Sequence, residues 1–340
     1  MSIPVGSRDL APLTIGSATV APGARARAQL DLVELADGAR VKLPVVLING
    51  ARPGPRLYLG AAIHGDEVNG VAILSEALAD LDPGVLAGSI ICVPVQHPLA
   101  FYADHRIPIS QFMKSPLDQA PIDAWTCFPG DANGNLAQIV AASLFGLIRL
   151  CSCAIDIHTP TRGGRYVPIA ILPSMTLGAT AETAAWLAEQ AATGYIMKTN
   201  VGMYVSGGIL SVEATRALVP SFTFEIGEGG QLERAMIDEG VRCVRNALIG
   251  LGMIAGERRL PATHYVMREF LGIRARRGGL LHTLVPLGAV VRRGDPLARI
   301  VDIFGDTVET LVAPEPGVFV RSTTLSTVST GERAATLGLI

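Results

Sequence analysis

The sequence predicts an α/β fold followed by a small all-β domain, on three observations. Short apolar runs, RLYLGAAI (56–63), IICVPV (90–95), CAIDI (153–157) and SFTFEI (221–226), alternate with segments of helical period. The runs are almost wholly apolar, the pattern of strands in a sheet covered by helices on both faces. After GERRLP (256–261) the helical spacing stops, and 265–340 breaks into short stretches punctuated by Gly and Pro.

Taken in order, residues 13–50 alternate apolar and polar side chains, with turns at Ala36-Asp37-Gly38 and Asn49-Gly50, and predict two or three short strands. The run at 56–63 is a buried strand, and Val68, Val71, Ala72, Leu74, Leu78 and Leu81 then keep helical spacing. A second buried strand at 90–95 leads into 101–134, rich in Pro, Asp and aromatic residues, a loop long enough to be functional. Helices near 135–151, 180–192 and 233–250 alternate with strands at 153–157, 169–173 and 221–226. The expected division is a catalytic domain, 1–258, with an N-terminal β extension over 1–50, and a C-terminal β domain, 259–340.

Composition narrows the partners. In 340 residues, 49% hydrophobic and 17% charged, there is material for one large core with a smaller appendage. A net charge of −2 argues against a nucleic-acid surface, which needs clustered basic charge. The five cysteines include no CxxC pair, only Cys151-x-Cys153, as expected of reduced, buried thiols in a cytoplasmic protein. The start, MSIPVGSRDLAP, has neither the basic end nor the apolar stretch of a signal peptide. The most apolar region, 136–157, is broken by Gln138, Arg149 and Asp156, so no membrane span is expected.

The chemistry collects where strands end. His64 and Glu67, in AAIHGDEVNG, follow the first buried strand, and His158 follows another in AIDIHTP. His₂Glu is a recognised catalytic zinc set that leaves one coordination position open, so one zinc ion per chain is the expected cofactor. Asp156, two residues before His158, is placed to orient a ligand. Glu225, in the apolar strand SFTFEI, is a candidate base, because an unpaired buried carboxylate is costly unless it has a partner or a task. Taken singly, each residue has a plainer role: a helix cap, a core histidine, a salt-bridged glutamate.

In these residues and their order, the chain resembles the succinylglutamate desuccinylase/aspartoacylase family, relatives of the zinc carboxypeptidases. GAAIHGDEVNG resembles its zinc motif, AIDIHT its Asp-x-His strand, and PSFTFEIGEGG its catalytic glutamate strand. HRIP…ID…CFPG is similar to its substrate loop, and GAVVRRGDPLARIVDIFGD…VAPEPGVF to a biotinyl-like β domain. The resemblance implies a carboxypeptidase-like sheet and hydrolysis of an amide in a small N-acyl substrate. His64, Glu67 and His158 would hold zinc, Glu225 would act as base and then acid, Arg106 would steady the oxyanion, and Asp123 would lie near the ligands.

One segment departs from the family pattern. Where an Asn-Arg pair ordinarily grips the substrate carboxylate, this chain reads Asp123-Ala124-Trp125-Thr126-Cys127. Trp125 offers an aromatic surface in place of a bidentate fork. Arg162 and Arg165 are the candidates to replace the missing charge, and His97 and Tyr166 are weaker pocket candidates. Asn133 and Asn135 read as a turn and an N-cap. The loss of the clamp also leaves open a catalytically lapsed binding protein. No lysine follows Lys198, so the C-terminal domain carries no biotin or lipoate, and a structural, lid or oligomerisation role remains for it.

Overall fold

The computed structural model describes residues 5–108 and 123–340; residues 109–122, within the long loop expected over 101–134, lie outside the described residues. The chain begins with a hairpin of β1 (Leu13–Ile15) and β2 (Ala18–Val20) and the long strands β3 (Ala24–Glu34) and β4 (Arg40–Asn49). Next come β5 (Arg52–Ala61), α1 (Val68–Ala79), β6 (Ala87–Val93), α2 (Pro98–Tyr102), α3 (Leu136–Ile148), β7 (Cys153–His158) and β8 (Gly164–Ile171). The series continues with α4 (Ala179–Ala191), β9 (Tyr195–Met197), α5 (Leu210–Arg216), β10 (Ser221–Glu228) and α6 (Arg234–Gly250).

Strands β6, β5, β7 and β10 run parallel in that order and form the centre of one large mixed sheet. Their two faces are sorted by the period of two. Leu57 and Leu59 of β5, Cys153, Ile155 and Ile157 of β7, and Phe222, Phe224 and Ile226 of β10 pack beneath α1, α4 and α6. Tyr58 and Ala154 face the other way, into the core made with α3 and α5. Asp156, His158, Thr223 and Glu225 share that second face, which therefore carries the polar groups.

Local chemistry sets the ends. Helix α3 starts at a reciprocal cap: the Gln138 N–H donates to Asn135 Oδ1 at 3.1 Å, and the Asn135 N–H donates to Gln138 Oε1 at 3.0 Å. Asn135 thus has its expected capping role, and the Asn133 N–H closes a turn on Asp131.

Two expectations need revision. The 13–50 segment holds four strands, two of them 11 and 10 residues long. Strand β3 lies at the sheet margin with Arg25, Arg27, Gln29 and Asp31 exposed, so its apolar signal is weak although its pairing with β4 is nearly continuous. Strand β9 and helix α5 leave no sign in the sequence, because segments of 3 and 7 residues are too short to declare a period.

The C-terminal region is antiparallel and strand-rich, and part of it joins the main sheet. Strands β11 (Tyr265–Met267), β12 (Glu269–Arg274), β14 (Val290–Val291), β17 (Gly317–Thr323) and β19 (Arg333–Leu339) extend it, with β17 antiparallel to β8 and β11 parallel to β9. Strands β13 (Gly279–Thr283), β15 (Pro296–Val301), β16 (Thr307–Val312) and β18 (Thr327–Val328) form a second sheet of four. Among the described residues, no helix is long and apolar enough to cross a membrane.

Candidate metal centre

The site lies at the carboxyl ends of the central parallel strands, where ligands collect in open α/β sheets. Strand β5 ends at Ala61, and the chain turns through Ala62, a non-glycine residue held at φ 49°, before His64. That left-handed backbone costs about 1–3 kcal/mol and persists because its surroundings hold it. The N–H groups of Gln96 and His97 donate to the carbonyls of Ala61 and Ala62 at 2.9 and 3.1 Å.

Glu67 stands at the N-cap of α1 but makes no side-chain cap bond. Its carboxylate lies between two imidazoles, Oε1 at 2.6 Å from His64 Nδ1 and Oε2 at 2.9 Å from His158 Nδ1. Oε2 also accepts the Thr159 N–H at 3.2 Å. The far side of each ring faces another carboxylate. His64 Nε2 is 3.1 Å from Asp123 Oδ1, and His158 Nε2 is 2.8 Å from Asp156 Oδ2. All three candidate ligands are at most 2% exposed, and their ligand atoms lie within 4.8 Å of one another.

This donor set fits a divalent cation. A neutral ring that donates from Nε2 to its outer aspartate directs its Nδ1 lone pair at a Glu67 oxygen, acceptor against acceptor, and the opposite tautomer sets Nε2 against the aspartate in the same way. Either a proton on each Nδ1 or a cation among the three resolves that conflict. The surrounding carboxylates favour positive charge at the rings. Burial would lower the His158 pKa, but Asp156 and Glu67 outweigh it and hold it well above the ordinary value; His64 is raised in the same sense by Glu67 and Asp123. Burial would raise Glu67, yet the two imidazoles bring it well below the usual carboxylate range.

Glu225 is the direct neighbour of His158 in the parallel register of β10 and β7. The Tyr204 hydroxyl donates to its Oε1 at 2.7 Å, while Oε2 is buried with no partner among the described residues. Burial is the main reason its pKa is raised, against the opposing pull of His158. A carboxylate with one oxygen held and the other free can accept and return a proton.

Arg106 reaches Asp123 through Nε at 3.0 Å and Nη2 at 2.7 Å, so the expected cation sits one residue removed from His64. Trp125 follows in a single 3-10 turn capped by Asp123. Its ring lies edge-on, 5.9 Å from His64 and 5.6 Å from His158, and is only 2% exposed, so it walls the histidines. Arg162 is exposed and pairs with Asp104, two residues before Arg106, while its N–H bonds Asp66. The Arg165 guanidinium, at the start of β8, is taken up by Glu228 and Glu233. His97 caps α2, its Nδ1 accepting the Ala100 N–H, and Tyr166 packs its ring on Phe270, 6.1 Å away.

Two contributors are absent from the sequence reading. Tyr204 lies in a single 3-10 turn, Met203–Val205, 21 residues before its partner Glu225, and nothing local marks it. Gln96 donates to Asp156 across 60 residues of chain; its one signal is a polar side chain directly after a buried strand, the cue that had singled out His158.

The comparisons with known proteins follow the same lines. Residues 53–251, more than half of the chain, match the succinylglutamate desuccinylase/aspartoacylase catalytic domain. The chain belongs to that family. Among curated proteins it is similar to the N-alpha-acetyl-L-2,4-diaminobutyric acid deacetylase of Halomonas elongata, 24% identical over 77% of this chain and 75% of the relative. Among solved structures, the product-bound ectoine utilization protein EutE (DoeB) of Ruegeria pomeroyi superimposes with a TM-score of 0.80 at 23% identity, covering 100% of both chains. A succinylglutamate desuccinylase from Silicibacter sp. TM1040 gives 0.80 at 22% identity over 100% of this chain and 99% of its own. At such identities the structural likeness speaks to the fold.

Proposed function

We propose that this protein is a zinc-dependent amide hydrolase, a deacylase acting on a small N-acyl compound, on a carboxypeptidase-like sheet. The observation that carries the reading is Glu67 set between the Nδ1 atoms of His64 and His158, with Glu225 in register beside His158. The family and the diaminobutyrate deacetylase relative support the same reaction class.

In this reading His64, Glu67 and His158 hold the ion, which when bound supplies Lewis acidity toward water and the amide carbonyl. Glu225 takes a proton from the attacking water on Oε2, while Tyr204 keeps Oε1 in place. The water oxygen bonds to the carbonyl carbon, and Arg106 stabilises the negative charge that develops on the carbonyl oxygen. Glu225 then returns its proton to the nitrogen as the C–N bond breaks, and a carboxylate and an amine leave. Trp125 packs edge-on against both histidine rings and holds their orientation. The C-terminal region, 259–340, acts as a wall and not as a carrier: its Phe270 packs on Tyr166 and Tyr204 at 6.1 and 5.9 Å.

Because the Asn-Arg clamp is replaced by Trp125 and its neighbours, the favoured substrates are N-acyl amines without an α-carboxylate. The test is amine release from N-acyl amino acids and from N-acyl amines lacking a carboxylate, with and without chelator. Chelator-sensitive turnover of the second group is expected. Turnover of the amino-acid conjugates alone would reassign carboxylate binding to another cation such as Arg162. Glu225→Gln should cut kcat by about 10²–10⁴-fold, the usual contribution of general acid–base catalysis. Turnover within a few-fold of wild type in that variant would overturn the mechanism, and ligand binding with no hydrolysis at all would make the protein a binding module.

A further inference from the structure

We propose that Gln96 is a positioning residue for the metal centre, reaching across one strand of the sheet to hold the carboxylate that orients His158. The inference rests on the metal-binding reading above and deepens it.

The register of the central sheet makes the argument. In β5, Gly60 is the direct neighbour of Val93 in β6 on one side and of Asp156 in β7 on the other. Gln96 follows the end of β6, and its side chain passes over Gly60 to the far strand. There Nε2 donates to Asp156 Oδ1 at 3.1 Å and to the Tyr58 hydroxyl at 3.0 Å. Asp156 Oδ2 is 2.8 Å from His158 Nε2, so one carboxylate takes the amide on one oxygen and the imidazole on the other. Gln96, Tyr58 and Asp156 are all 0% exposed.

Gly60 is what allows the crossing. A Cβ built on it would lie 1.8 Å from Gln96 Nε2 and 2.8 Å from its amide carbon. No side chain larger than hydrogen fits at that position with Gln96 in place. The amide orientation is fixed by charge as well: turned over, it would set an oxygen against the buried carboxylate. Gln96 Oε1 has no partner among the described residues, so the Nε2 bonds alone hold the amide in this sense. The backbone completes the brace. The Gln96 N–H bonds the carbonyl of Ala61 at 2.9 Å, at the end of the strand that leads to His64. Gln96 therefore ties the stretch bearing one proposed ligand to the residue orienting another.

Outer carboxylate partners of metal-bound histidines are worth about 10–100-fold in metal affinity. A group that fixes such a partner acts on the same quantity. The experiment measures the zinc dissociation constant of the full-length protein by competition with a chromophoric chelator, for wild type, Gln96→Met, Gln96→Glu and Gly60→Ala. Cobalt(II) spectra report the geometry of the centre without reference to turnover. Gln96→Met, which keeps the volume and removes the donors, should weaken zinc binding by about 10-fold and broaden the cobalt spectrum. Gln96→Glu, which sets an acceptor against Asp156, should weaken it further, and Gly60→Ala should reproduce the Gln96→Met defect by displacement.

If wild type binds zinc and folded Gln96→Met binds it within two-fold with an unchanged cobalt spectrum, the positioning role is overturned while the metal centre stands. If wild type takes up no zinc, the metal reading falls and this proposal falls with it. Circular dichroism checks folding, and should Gln96→Met not fold, Gln96→Glu and Gly60→Ala are read by the same criterion.

Discussion

Asp123 contacts both His64 and Arg106, and each contact constrains what a substitution at Arg106 does. Burial would raise its carboxyl pKa, but His64 and Arg106 hold it well below the usual range, so it stays a carboxylate at any working pH. Arg106 meets it with two nitrogens, a planar fork that a lysine ammonium cannot copy. Arg106→Lys therefore keeps the charge and loses the placement. Its kcat should fall by about 10²–10³-fold, as for other lost oxyanion donors, with zinc affinity within a few-fold of wild type. Steady-state kinetics beside a chelator titration checks this, and a large loss of zinc affinity with little change in kcat would move Arg106 from the reaction to the metal centre.

At the scale of single elements, the short helix α2 carries a pH dependence in its cap. His97 is 2% exposed, and its Nδ1 accepts the Ala100 N–H, which requires the neutral ring. Burial lowers its pKa from 6.5 to about 4, and His64 adds to the effect. As pH falls below 6.5 the unfolded chain therefore takes up a proton that the folded chain refuses, and folding stability declines until pH reaches about 4. The loss has an upper bound of about 3 kcal/mol at 1.36 kcal/mol per unit. His97→Asn keeps an acceptor and cannot titrate, so urea midpoints in excess chelator should fall less between pH 7 and 4.5 in the variant. Parallel declines would mean that His97 is not the group responsible. The element scale also shows what sequence can disclose. Apolar runs and helical spacing reveal β5, α1, β7 and β10 because burial on both faces leaves a local trace, and His64, Glu67, His158 and Glu225 are visible because they interrupt or follow such runs. Gln96 shares the cue of following such a run, but its partner Asp156 is set by strand register, and Tyr204 carries no local cue because a separate short turn brings it to Glu225. The edge strand β3 is hidden for the opposite reason: its pairing is long, but its exposed side chains are polar.

For the whole molecule, the question is whether the chain divides at residue 258. Composition changes there, but hydrogen bonding does not stop. Strand β17 pairs with β8 at Arg321–Tyr166, Ser322–Arg165 and Thr323–Gly164, and β11 pairs with β9 over three residues. One buried cluster draws Tyr166, Val167, Ile169, Ile171 and Met197 from the first part and Met267, Val318 and Val320 from the second. Cutting after 258 would bare those side chains and leave strand edges without partners, an arrangement prone to aggregation. We expect residues 1–258 alone to be insoluble or to bind a hydrophobic dye without a cooperative melt. In the full chain, amide exchange protection in β8 and β17 should be lost at the same denaturant concentration, as one cooperative unit requires. A truncated protein with a sharp melt, or earlier loss of protection in β17, would instead make the C-terminal region an independent domain. The outcome bears on catalysis as well as folding. Phe270 of β12 packs on Tyr204, and Tyr204 holds the oxygen of Glu225 that the proton transfer leaves alone. If the two parts fold as one, substitutions in β12 should alter turnover from outside the catalytic segment; if they fold apart, Phe270→Ala should leave kcat unchanged.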